Sequence, residues 1–163
     1  MDALQALTTR RTVRVYRADP VPRDLIEQVL EAARNAATAN NLQPWEFVVV
    51  TDRRLRQRLT AATDHGQPIA LAPVCIAVFC QDCKYYLEDG ANASQNLLVA
   101  AHALGLGGGW VAGDKKPYAE EVRAMLQVPS GYKLVSLLTL GYAAEQPQPK
   151  KRPLAEMVHW ERW

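Results

Sequence analysis

Residues Ala91 to Ala103 contain no Asp, Glu, Lys or Arg and consist mainly of alanine, leucine, valine and small amides. Alanine and leucine favour helix, and the segment predicts a long helix from about Glu88 to Leu104. A helix that is small or apolar nearly all round has no face suited to water, so it must be buried nearly all round. In a chain of 163 residues this places it at the centre of the fold or in a subunit interface. The other elements must be arranged around it.

Residues 2 to 9 read as a short helix that ends at an arginine cluster, followed by an extended segment through Val13, Val15 and Tyr16. Asp19-Pro20-Val21-Pro22 breaks the chain, and Pro22 is placed to start a helix. Leu25, Ile26, Val29, Leu30 and Ala33 then recur at helical spacing, predicting an amphipathic helix from about 22 to 36. Trp45 to Thr51 predicts a buried strand, Arg53 to Ala62 a helix with charged residues dominating one face, and Pro73 to Cys80 a central strand. After the long helix, Gly105 to Gly109 ends it and Trp110-Val111-Ala112 opens another strand. Residues 117 to 126 predict a short helix, and Leu134 to Tyr142 the last long strand. Strands and helices interleave, so the residue pattern leaves α/β and α+β both open. No repeat or internal linker interrupts residues 1–163, which are expected to form one domain with residues 145–163 as an arm. That arm is proline-rich to Pro153 and then carries Leu154, Met157, Val158, Trp160 and Trp163. Large apolar side chains on such an arm need a surface to bury against, and a partner subunit is the natural one.

Hydrophobic content of 48% with 22% charged residues describes a folded globular chain. The net charge of +2 gives no bulk reason to expect nucleic acid or an anionic membrane as partner. No apolar run is long enough for a transmembrane helix. The start Met1-Asp2-Ala3-Leu4-Gln5 lacks the features of a signal peptide. Cys75, Cys80 and Cys83 are an odd cluster rather than a disulfide framework, and a reducing cytoplasm is the expected location. Cys80 and Cys83 form C-x-x-C, but the two further ligands of a metal site are missing, since His65, His102 and His159 are scattered. No metal is expected, and the thiols are read as ordinary.

Two motifs carry chemistry. Arg10-Arg11-Thr12-Val13-Arg14 packs three guanidinium groups and a hydroxyl into five residues, a composition suited to holding phosphate. Asn41-Leu42-Gln43-Pro44-Trp45 sets two carboxamides and an indole before a buried strand. Carboxamides can bond the polar edge of a planar heterocycle; Trp45 itself is read as core packing. Lys150-Lys151-Arg152 adds a second basic cluster at the other chain end. Gly107-Gly108-Gly109-Trp110-Val111-Ala112 fits a dinucleotide fingerprint, but a helix precedes it and a strand follows, the reverse of what that fingerprint needs. Close backbone approach to a flat ligand is the better expectation there. Asn92, Gln95 and Asn96 are read as bonding neighbouring backbone. No Ser-His-Asp order or carboxylate pair stands out.

With these two motifs in this order and at this separation, the chain resembles the FMN-dependent nitroreductase family. That family pairs an R-R-S-x-R start with a P-S-x-x-N-x-Q-P-W segment, here Ala37-Thr38-Ala39-Asn40-Asn41-Leu42-Gln43-Pro44-Trp45. The resemblance implies an α+β nitroreductase-like fold, with a central mixed sheet flanked by helices and a C-terminal arm reaching the partner of a homodimer. FMN would lie at the interface, reduced by NADH or NADPH. A small aromatic acceptor such as a nitroaromatic or a quinone would follow by a ping-pong mechanism. Flavin N5 would carry the chemistry, with no catalytic protein residue. By the same resemblance, Arg10 and Thr12 would hold the phosphate together with Lys150 and Arg152, Arg14 would lie near flavin N1 and O2, and Arg11 is counted among the cofactor-binding residues. Ala37, Thr38, Asn41 and Gln43 would contact the flavin seated mainly on the other subunit. Gly108 would allow close approach, and the Gly113 amide would face N5. Only about twenty residues separate the Thr51 and Pro73 strands, and no lid-sized insertion follows Gly113, so an open cleft with loose substrate choice is expected. An FMN- or nucleotide-binding sensor without turnover is the alternative.

Overall fold

A computed structural model describes residues 1–163. Its elements run α1 (Ala3–Thr9), α2 (Arg23–Arg34), β1 (Trp45–Val50), α3 (Arg53–Ala62), α4 (Gln67–Leu71), β2 (Val74–Gln81), α5 (Tyr86–Ala103), β3 (Gly107–Ala112), α6 (Ala119–Met125) and β4 (Tyr132–Gly141). The four strands form one sheet in the order β1-β2-β4-β3, and the architecture is α+β. No helix is long and apolar enough to cross a membrane.

Every ladder of the sheet is antiparallel, where a mixed sheet was expected. Helix α5 does lead to a strand parallel to β2, but β4 lies between β2 and β3 and runs antiparallel to both, while α3 and α4 run out and back between β1 and β2. The chain re-enters the sheet at the end it left. Parallel pairing is confined to an isolated bridge between Thr12 and Gly108. The glycine run, expected to end the long helix, is itself the start of β3.

Side chains along β2 alternate between two cores. Val74, Ile76, Val78 and Cys80 face α2 and α5, whereas Cys75, Ala77 and Phe79 face Leu59 of α3, Ile69 of α4 and Val122 of α6. The sheet is therefore the middle of three layers. A register shift between Val78 and Phe79 skips Val135 in the β2–β4 ladder. Val135 joins the core on the α5 side, and Ser136 also turns to α5, where its hydroxyl meets that of Ser94 at 2.9 Å. Helix α5 buries Gly90, Ala93, Ser94, Leu97, Leu98 and Ala101, the central placement that its composition demands.

Helix α4 has no counterpart in the sequence reading. Its one fully buried residue is Ile69, and its C-terminal end is held by Arg56 of α3. That guanidinium is buried and donates to the carbonyls of Ile69, Ala70 and Ala72. Beyond β4 the chain extends as far as a single 3-10 turn at Leu154–Glu156. Trp160 and Trp163 are 83% and 100% exposed, so the arm does not pack back on its own core.

Leu97 is fully buried between sheet and helices. Leu97→Ala is expected to lower unfolding free energy by about 2–5 kcal/mol, read from the urea midpoint. A loss under about 0.5 kcal/mol, typical of surface sites, would contradict the central position of α5.

Candidate functional site

The segment after α1 is fixed by its backbone, which leaves its cationic heads free. The Val13 amide donates to Gly108 O at 2.9 Å, Arg17 N to Tyr142 O at 2.9 Å, and Ala144 N to Val15 O at 3.0 Å. Both Arg14 N and Val15 N donate to Glu145 Oε1, at 2.5 and 3.0 Å. The Tyr16 hydroxyl donates to Val13 O at 2.7 Å and meets Thr139 Oγ1 at 2.6 Å. Burial, the largest cause, pushes the Tyr16 phenol up to about 12, so it stays a neutral hydrogen-bonding group.

A cavity of about 350 Å³ opens beside this segment. Arg10, Arg11, Thr12, Arg14, Pro147, Gln148, Pro149 and Lys151 line it. It brings residues from both chain ends together, and no carboxylate is among them. None of these four cations belongs to an ion pair. Arg10 Nη1 is buried with no hydrogen-bond partner; burial and then the charge of Arg11 lower the Arg10 pKa. A buried, unpaired guanidinium nitrogen is costly, and an anion accepting from it would remove that cost. The Arg11 side chain is partly committed, since its Nη1 donates to Thr8 O and Arg10 O, both at 2.9 Å, at the end of α1.

The arm's contribution differs from expectation. Lys151 lines the cavity and Lys150 and Arg152 do not; Arg152 turns to Glu156, its Nε 3.5 Å from Oε2. In an extended segment neighbouring side chains point to opposite sides, so a shift of one residue exchanges which lysine faces inward.

A second cavity, of about 310 Å³, shares Thr12 and Arg14 with the first and continues past Gly109, Trp110 and Ala112 to Lys116, His65 and Tyr118. Gly108 instead borders a third cavity, of about 600 Å³, with Arg10, Arg11 and His102. A side chain at Gly108 would strike Leu98 Cδ2 at 2.7 Å, and one at Gly113 would strike Leu134 Cγ at 2.5 Å. Protein packing therefore accounts for both glycines. The Gly113 amide donates to Val135 O at 3.1 Å, so it is not free to face a ligand as expected.

Ala37, Thr38, Asn41 and Gln43 lie elsewhere, in the turn between α2 and β1. They line neither of the two cavities that Thr12 and Arg14 share. Asp89, buried in the first turn of α5, organises that turn. Its carboxylate accepts from Thr38 Oγ1 at 2.9 Å and Ala39 N at 3.0 Å. Gln43 N donates to Thr38 Oγ1 at 3.2 Å, and Asn92 Nδ2 donates to Ala37 O at 3.1 Å. Asn40, Asn41 and Gln43 all have positive φ, at 52°, 56° and 50°, a region that asparagine tolerates better than most residues. The two groups of expected cofactor contacts therefore lie on different surfaces of one chain. The sequence reading missed Asp89 and Glu145, and named Lys151 only as part of the basic run; an acid in a helix's first turn was the one available signal for the other two.

Cys75 and Cys80 are buried, and burial pushes both thiols up to about 12. No cluster of three or more His, Cys, Asp and Glu side chains could hold a metal ion.

The sequence profile of the nitroreductase family matches residues 7–78 and 82–142. The chain belongs to the nitroreductase family. It is 32% identical to a Thermus thermophilus NADH dehydrogenase, over 98% of this chain and 96% of that protein. It is 30% identical to the oxygen-insensitive NADPH nitroreductase of Salmonella typhimurium, over 95% of this chain and 71% of that one. Among solved structures, an FMN-dependent nitroreductase from Clostridium difficile superposes with a TM-score of 0.92 at 26% identity, covering 98% of this chain and 99% of its own. The nitroreductase fold thus accounts for 98% of this chain.

Two outcomes are expected at these residues. Asp89→Ala would leave the Thr38 hydroxyl and Ala39 amide without their acceptor and cost about 1–3 kcal/mol, visible in the urea midpoint. His102, whose Nε2 lies 2.9 Å from Thr9 Oγ1, has its pKa lowered from 6.5 by burial, then by Arg10 and Arg11. The folded state then binds fewer protons than the unfolded state below about pH 6.5, and the stability present above that pH is lost as the pH falls. His102→Gln is expected to flatten the drop in thermal midpoint between pH 7.5 and 5.5; an unchanged slope would remove His102 from that role.

Proposed function

We propose that this nitroreductase-family protein is an FMN-dependent oxidoreductase that uses NADH or NADPH to reduce nitroaromatics, quinones or related flat acceptors. The observation that carries this reading is Arg10 Nη1, buried and unpartnered in a cavity walled by four cations. The phosphate of FMN fits that donor set. Arg10, Thr12, Arg14 and Lys151 would hold it, and Arg11 would add charge from the end of α1. The adjoining cavity that begins at the same Thr12 and Arg14 would receive the flavin ring, with the Trp110 indole beside it and Arg14 near the pyrimidine edge. When bound, FMN supplies the hydride chemistry between the nicotinamide donor and the acceptor that replaces it. Arg14 favours negative charge on whatever occupies the cavity. The Glu145 clip and Tyr16 hold the Arg14 backbone in place, so little reorganisation is needed when charge develops.

The second half-site supports a homodimer. Ala37, Thr38, Asn41 and Gln43 would serve the flavin seated on the other subunit, and residues 145–163 would embrace that subunit. The exposure of Trp160 and Trp163 supports such an arm, because two large apolar side chains left in water favour association.

The first test is an absorbance spectrum of protein reconstituted with FMN, desalted, and titrated without oxygen with NADH and NADPH. Retained flavin that either donor bleaches supports the oxidoreductase. Retained flavin that neither bleaches favours a binding protein without turnover, and no retained flavin overturns the phosphate reading. Arg10→Ala and Lys151→Ala are each expected to weaken FMN binding by about 10-fold or more, since charge-assisted bonds contribute about 1.5–3 kcal/mol. Lys150→Ala should change it by less than about 3-fold. Equal effects of the two lysine variants would contradict the assignment of Lys151.

A further inference from the structure

Residues 113–118 join β3 to α6 and carry Lys116 and Tyr118 into the wall of the 310 Å³ cavity. At one end of this loop Tyr118 is buried, and its hydroxyl donates to Ala112 O. At the other end the amides of Gly113 and Asp114 both donate to Val135 O, at 3.1 and 3.3 Å. Between these anchors Lys115 has a φ of 55°. That left-handed conformation costs about 1–2 kcal/mol for a residue with a side chain, and it persists only where neighbouring contacts enforce it.

One side-chain hydrogen bond reaches the loop from outside. The hydroxyl of Tyr86, the first residue of α5, donates to Asp114 Oδ1. That bond, ahead of burial, pushes the Tyr86 phenol up to about 12, so it keeps its proton and remains the donor. Tyr86 is itself held in place. It packs against the core on the α5 side, and Lys133 Nζ lies 4.6 Å from its ring centroid while pairing with Asp82 at 2.8 Å. On the loop, Lys115 Nζ lies 4.0 Å from Asp114 Oδ2, whereas Lys116 belongs to no ion pair.

We propose that Tyr86 and Asp114 are positioning residues for the cofactor, their bond fixing Lys116 as a cation in the wall of the flavin cavity. The inference rests on the FMN reading above and leaves that cavity to the cofactor. A lysine on a loose loop must be ordered when a ligand arrives, which weakens binding; one on a loop already fixed at both ends needs little reorganisation. Asp89, one turn along α5 from Tyr86, holds Thr38. The start of α5 thus anchors the loop beside one flavin cavity and the turn expected to serve the other.

FMN dissociation constants, read from quenching of flavin fluorescence by the apoprotein, test this. Tyr86→Phe and Asp114→Ala are each expected to weaken FMN binding about fivefold or more. Asp114→Asn should stay within about twofold of the parent, because its amide oxygen accepts the same bond. Lys116→Gln should weaken binding about threefold or more, and Tyr86→Phe added to it should cost less than about twofold further, since coupled residues are not additive. A bond that serves stability alone would lower the urea midpoint of the apoprotein and leave the FMN constant unchanged. Parent-like affinity in Tyr86→Phe, a fivefold loss in Asp114→Asn, or the same loss from Tyr86→Phe with and without Lys116 each overturns the inference and leaves the FMN reading standing. Should Tyr86→Phe fail to fold, the two Asp114 variants decide. A parent protein that binds no FMN overturns that reading, and the inference with it.

Discussion

Helix α5 lies against the sheet through Ala93, Leu97, Leu98 and Ala101, and the position of the site follows from that burial. Each buried leucine contributes about 1.5–3 kcal/mol relative to exposure, which sets the helix firmly on β2 and β4. Its first turn then carries Asp89 to the α2–β1 connection, and its C-terminal end brings His102 to α1. One rigid element thereby positions both the α2–β1 turn and, beside the cation cavity, the end of α1. No loop-to-loop contact is needed to hold them there.

The cation cavity illustrates how charge is placed at acceptable cost. Three arginines in five residues repel one another, and a flexible segment would let them spread into solvent. Backbone bonds from Val13, Arg14, Val15 and Arg17 prevent this by anchoring the chain to β3, β4 and the root of the arm. The repulsion is retained in the folded state, where burial first and then the charge of Arg11 lower the Arg10 pKa. Retained repulsion is what makes a bound anion favourable, because preorganised donors need not move when it arrives.

Much of this was legible in the chain. The strands at Trp45 and Pro73 are dense apolar runs, and α5 announces itself by having no charge across its middle. The Arg10–Arg14 cluster and the arm's basic run were both visible as charge clusters, and the fold brings them to one cavity through Lys151. Other features depend on contacts between distant residues. Helix α4 exists because Arg56 caps it from α3, which no local pattern displays. The antiparallel order of the sheet depends on α3 and α4 doubling back and on β4 inserting between β2 and β3. Lys151 rather than Lys150 faces the cavity because of a one-residue phase in an extended segment. Gly113 is small for the sake of Leu134, a neighbour twenty-one positions along the chain.

The cation cavity is walled by residues 10–14 on one side and 147–151 on the other. Its first wall is synthesised well over a hundred residues before its second. A nascent chain can bury much of its core before Pro147 has left the ribosome, since domains fold as units once their elements are available. It cannot yet hold an anion between the two walls. Closure of the cation cavity therefore waits for residues 147–151, and until they arrive the arginines have nothing to close against.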